Sequence, residues 1–137
     1  MNVTVYDHTE EILDALAEKV SAALEAVGNQ AVSHAKQNVT EGDRRRTGTL
    51  ENSISHLVDD GSKTVHIGTN NEYAIYNEMG TGIHVEGGGG RQTPWHYQDA
   101  QGNWHTTRGM RPIHFLKNAI ANHIEEYRAI IEQILKE

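Results

Sequence analysis

From residue 9 onward, apolar positions recur at steps of three and four: Leu13, Leu16, Val20, Leu24, Val27, Ala31, Ala35 and Val39. That spacing lines one face of an α-helix through about eight turns at 3.6 residues per turn. Thr9 is placed to be its N-cap, and Glu10 and Glu11 follow where the positive end of the helix dipole favours carboxylates. The helix is expected to stop near 40–42. Gly28 lies within it and costs about 1 kcal/mol relative to alanine, which leaves room for a bend or break at Gly28–Asn29. Ahead of the helix, Val3 and Val5 alternate with Asn2 and Thr4, the pattern of a short strand or ordered tail.

The period then changes. Leu50 and Ile54 stand four apart in a polar stretch, consistent with one helical turn or the start of a strand. Residues 55–58, 64–68 and 73–76 read as strands, and Asp59-Asp60-Gly61-Ser62 is a hairpin turn between the first two. Val65 and Ile67 would share one face and His66 the other, as when a helix covers one side of a sheet. Gly80, Gly82 and Gly87 to Gly90 predict a flexible segment. Beyond it, residues 94–97 and 103–107 flank Gln98–Gly102 as a second hairpin carrying Trp95, Tyr97 and Trp104. From Pro112, the positions Ile113, Leu116, Ile120, Ile124, Tyr127, Ile131 and Ile134 or Leu135 predict one amphipathic helix running to the C-terminus. The expected fold is α+β: a small antiparallel sheet packed by a long N-terminal helix and a C-terminal amphipathic helix, with a protruding hairpin and loop. Residues 1–137 read as one domain, with 84–108 as the excursion.

Composition narrows the function. The chain has no cysteine, which removes disulfides, thiolate metal sites and cysteine nucleophiles together. A formal charge of -7 is the wrong sign for gripping phosphate backbones, so neither sequence-specific nucleic-acid binding nor a DNA-binding regulator is expected. Arg44, Arg45 and Arg46 form a basic triplet that reads as a solvated turn, or else as a contact for a phosphate or an acidic partner. With no apolar run long enough to span a bilayer and no signal-peptide pattern at its start, the chain is expected to be soluble and cytosolic, without a membrane partner.

Nine histidines raise the question of metal, but no two stand at ligand spacing in sequence; His34, His114 and His123 each read as alone on a helix. Neither a metal nor any other cofactor is expected. Gly87–Gly90 leads into a strand rather than a helix, unlike a phosphate-binding loop. No catalytic signature is present, and Glu78 reads as a carboxylate that caps or orients a turn. Trp95 and Trp104 either cover each other across the hairpin or serve as assembly anchors. Trp95, Tyr97 and Trp104, with Arg91 and Arg108 beside them, are the candidate subunit-interface residues.

Two segments, Arg46-Thr47-Gly48-Thr49-Leu50-Glu51-Asn52-Ser53-Ile54 and Tyr73-Ala74-Ile75-Tyr76-Asn77-Glu78-Met79-Gly80-Thr81, together resemble the paired motifs of the phage tail-component family named after gene product ten of the lambdoid phage HK-ninety-seven. Pro112-Ile113-His114-Phe115-Leu116 through Ala119 is similar to the closing segment of that family, and Thr93-Pro94-Trp95 through Gly102-Asn103-Trp104 to an insertion in members from Gram-positive phages. Members usually carry a proline before the first motif, where this chain has Glu41-Gly42-Asp43. The resemblance gives structural roles to Thr47, Gly48, Leu50, Ser53, Ile54, Tyr73, Ala74, Tyr76, Glu78, Gly80, Thr81, Pro112, Phe115 and Leu116. It implies a non-enzymatic virion protein of a siphophage or prophage, made in the host cytoplasm. The implied role is a head-tail connector or tail-completion subunit in an oligomeric ring, bound to itself and to other neck, connector or tail-tube proteins. A ring of this charge around the DNA channel would repel phosphates and let the genome slide. A tail terminator or tail-tube-end protein is the alternative; a prophage-encoded metal-dependent hydrolase is a remote one, to be recognised by a convergent His/Asp/Glu pocket.

Overall fold

Small side chains on one face of the first helix decide how the elements meet. The computed structural model describes residues 8–44, 48–99 and 101–137. In it α1 (Thr9–Glu41) runs unbroken for 33 residues, about 50 Å at 1.5 Å per residue. Its buried positions are Ala23, Val27, Gly28, Ala31, Ala35 and Val39. The glycine does not break the helix. A Cβ there would come within 2.5 Å of His56 Cδ2 and 2.9 Å of Val65 Cγ2, so Gly28 lets the first hairpin approach the helix closely. The N-cap is His8, not Thr9, which already lies in the first turn.

α2 (Thr49–Ser53) is a single turn that leads directly into β1 (Ile54–Asp59), so both readings of this stretch hold in succession. β1 pairs antiparallel with β2 (Thr64–Thr69), Ile54 opposite Thr69 and Asp59 opposite Thr64, around the expected turn. The strand expected at 73–76 is instead a helix, α3 (Ala74–Met79). The side chain of Asn71 accepts the Tyr73 N–H at 2.8 Å and sets the entering turn. Gly80, left-handed at φ 84°, ends the helix by donating its N–H to Tyr76 O. Six residues are too few for helical periodicity to show in sequence.

A second hairpin, β3 (Trp95–Gln98) with β4 (Trp104–Thr107), follows a 3₁₀ turn at Gly82–His84. The single C-terminal helix is in fact two, α4 (Phe115–Ala121) and α5 (Ile124–Lys136), parted at Asn122–His123. Pro112 and Ile113 precede the helix, and His114 enters it left-handed at φ 49°. The break rotates α5 so that Tyr127 is buried with Val27 and Ala31, while Phe115 and Ala119 join Ala35, Val39, Leu50, Ile54 and Ala74 in the main core. Among the described residues, only Phe115 and Val39 are large side chains buried completely.

The tail ahead of α1, together with Arg45, Arg46 and Thr47, lies outside the described residues. Not all of the predicted stripe is covered. Leu13 and Leu16 are exposed, as is Ile12, because α1 is far longer than α5; Lys19 Nζ already meets the C-terminal Glu137 O at 2.5 Å. None of the described helices is long and apolar enough to cross a membrane.

Candidate interaction surface

The motif residues divide into those that build the frame and those that face outward. Gly48 takes φ 82° at the start of α2, and Leu50 and Ile54 enter the core one helical turn apart. Ser53 Oγ donates to Leu50 O at 2.6 Å and meets Thr69 Oγ1 at 2.5 Å, joining the turn to β2. Arg44, expected in a solvated turn or at a phosphate, donates to Asn77 Oδ1 at 3.2 Å and Arg111 O at 2.8 Å, holding α3 near residue 111.

Glu78 caps a helix that begins 37 residues later. Its two carboxylate oxygens accept the backbone N–H groups of Leu116 and Lys117 at 2.8 and 2.9 Å. Both donors belong to the first turn of α4, where no intrahelical acceptor exists. Asn77 O accepts the Ile113 N–H, so the two distant motifs close on each other. Gly80 and Gly82 sit in a closely packed, hydrogen-bonded turn. Thr81 N donates to Met110 O at 2.8 Å, Ile83 N to Arg108 O at 3.0 Å, and Thr81 Oγ1 accepts the Met110 N–H. A Cβ on Gly82 would land on the Arg108 carbonyl, one on Gly109 on Thr81 O, and one on Gly90 on Gly82 O. Within residues 80–90, only Gly87, Gly88 and Gly89 stand in open space, so the excursion has a closely packed base and a short open loop.

What faces outward is apolar. α3 buries Ala74 and leaves Tyr73 68%, Ile75 61% and Tyr76 49% exposed, with Met79 and Ile83 beside them. Tyr73 and Tyr76 line a cleft of about 730 Å³ together with Arg44, Gly48, Leu50 and Met110. The sequence does not single out Ile75, Met79 or Ile83, since Ile75 reads as part of a strand at 73–76 and the other two lie beyond it. A small Ala74 followed by Met79 and Gly80 was the available sign of a capped helical turn.

The hairpin adds a second exposed group. Trp95 pairs with Thr107 and Trp104 with Gln98, so the two tryptophans lie on opposite faces and do not cover each other. Arg91 sits over the Trp95 ring at 5.3 Å, whereas Trp104 is 71% exposed. Tyr97 stacks on His105 at 5.1 Å, His105 reaches Asp99 Oδ2 at 2.7 Å, and the His105 hydrogen bond holds the Asp99 carboxyl below its ordinary range. Arg108 is exposed at the base.

Two histidines expected to stand alone do not. His34 on α1 and His123 at the α4–α5 break stack with ring centroids 3.5 Å apart and planes within 7°. Glu126 Oε2 lies 2.8 Å from His34 Nε2 and 3.4 Å from His123 Nδ1, and its carboxyl is held low chiefly by the His34 hydrogen bond. Burial raises the neighbouring Tyr127 hydroxyl to about 12, and that hydroxyl donates to Ala119 O. The trio lies between helices and lines neither the cleft at α3 nor the shallower one beside Ala17 and Lys63.

A family model described as "Bacteriophage HK97-gp10, putative tail-component" matches residues 5–80, which includes the first paired motif and the second as far as Gly80 and ends before the excursion. None of the curated proteins and none of the solved structures compared with this chain matches it.

Proposed function

Since the chain belongs to the HK97-gp10-like family of bacteriophage tail components, we propose that it is a head-tail connector or tail-completion subunit that assembles into a ring at the head-tail junction. The observation that carries this reading is the unpartnered apolar face of α3, Tyr73, Ile75, Tyr76 and Met79, on the motif segment itself. Exposed aromatic and methionine side chains clustered on a rigid element are the usual material of an interface centre. The hairpin, with Tyr97 and Trp104, extends from the same base and supplies a second contact, while Trp95 with Arg91 and Arg108 forms its root. Residues 1–137 act in this reading as one domain, with 84–108 as the docking excursion. The partner is a second copy of the chain, then neighbouring neck or tube proteins of the virion. No step of this role uses catalysis, and a charge of -7 suits a wall past which DNA slides.

The test is assembly. Tyr76→Ser and Trp104→Ala are expected to leave the circular dichroism of the subunit unchanged, to lower its self-association measured by light scattering at least about tenfold, and to block tail completion in a phage complementation assay. Unchanged virion assembly in the double variant would overturn the assigned surface. A ring imaged by electron microscopy with a lumen lined mainly by Lys and Arg would overturn the channel role.

A further inference from the structure

His34, His123 and Glu126 are separated by as much as 92 residues in sequence, yet each brings one ligand atom to within 4.8 Å of the others. Among the described residues, no other group of three His, Cys, Asp or Glu side chains converges in this way. A single carboxylate oxygen faces two imidazole nitrogens, one at 2.8 and one at 3.4 Å. Two nitrogens and an oxygen around a tetrahedral ion sit about 2.0–2.1 Å from it and about 3.4 Å from one another. The Glu126 oxygen already stands at or inside that spacing from each nitrogen, and the two stacked rings must turn out of their parallel arrangement for both lone pairs to point at one ion. His34 is fixed by α1, and the amide nitrogen of Gln30, one turn earlier, lies 3.4 Å from His34 Nε2. His123 and Glu126 are three apart across the start of α5, on the same side of the helix.

From this geometry we propose that His34, His123 and Glu126 bind a divalent transition-metal ion of the zinc type, which staples α1 to the junction of α4 and α5. The donor set selects the ion: imidazole suits zinc, copper, cobalt and nickel, while magnesium and calcium demand more oxygens than one carboxylate offers. The site has three protein ligands, and Gln30 or a solvent oxygen completes the fourth position. Its consequence is structural. Cation binding couples to folding, because in the unfolded chain His34 lies far from His123 and Glu126. The helix break at Asn122–His123 then has a purpose that a continuous helix would not serve, since it aims His123 and Glu126 together at α1.

The full chain is titrated with zinc chloride at neutral pH by isothermal calorimetry, with magnesium chloride as control. One-to-one zinc binding and a raised melting temperature are expected, with no response to magnesium. His123→Asn and Glu126→Gln should each weaken zinc binding about tenfold or more, while His66→Gln, on the outer face of β2, should leave it unchanged. Should His34→Gln fail to fold, the imidazole resonances of the unaltered chain decide. Zinc-induced shifts confined to His34 and His123 support the site. Absence of zinc binding, or binding that survives His123→Asn with Glu126→Gln, overturns it.

Discussion

At the scale of single residues, Glu78 shows how one side chain can join two parts of the chain that are distant in sequence. Its carboxylate satisfies two N–H groups that α4 cannot satisfy itself, and it is mostly shielded by the structure around it. Glu78→Ala is expected to cost about 1–2 kcal/mol, the range for loss of a helix cap, read as a fall in the denaturation midpoint. Glu78→Gln, which keeps one acceptor, should recover part of it. In the sequence Glu78 reads as a carboxylate that caps or orients a turn; the helix it serves is not visible there, because its donors begin at Leu116.

Between elements, two contacts decide how much the parts depend on each other. Where α1 meets the first hairpin, Gly28 lies against His56, and His56 Nε2 is in turn held by Glu25 at 2.6 Å. Gly28→Ala gains about 1 kcal/mol of helix propensity, but overpacking of a close contact costs about 1–3 kcal/mol. A net loss of stability is therefore expected by chemical denaturation, and a gain would contradict the close packing. The second hairpin depends on Asp99, whose side chain accepts the N–H groups of Gln101 and Asn103 as well as the His105 ring. A carboxyl with a lowered folded-state pKa contributes stability that is present above its unfolded value and lost as pH falls through the folded one. The hairpin should thus open below about pH 4, the ordinary carboxylate range, while the α1 core persists. The check is NMR of residues 95–107 against those of the core during acid titration, and hairpin and core melting together would refute it.

Across the whole molecule, burial is concentrated at one end of α1. Phe115 sits at the centre of that core and is fully buried, whereas Leu13 and Leu16 extend past the C-terminus of α5 without cover from the subunit. Phe115→Ala is expected to cost about 3–5 kcal/mol. Leu13→Ser with Leu16→Ser should change the stability of the isolated subunit by no more than about 0.5 kcal/mol per site. Thermal melts of the two variants side by side test the contrast.

Much of this was legible in the residues alone. A long helix, a hairpin around Asp59–Ser62, an aromatic second hairpin and a C-terminal amphipathic segment follow from local periodicity and turn chemistry, which act over a few residues. The paired motifs pointed to the tail-component family. Tertiary structure decided the rest, because it depends on which distant groups meet. It made residues 74–79 a helix with an apolar outer face, turned Gly80 and Gly82 from loose links into tight contacts, and split the last helix at Asn122–His123. It also placed His34 against His123 and Glu126, a convergence that exists only when α1 and α5 lie side by side. Periodicity records which face of an element is buried; it carries no record of what lies across from it.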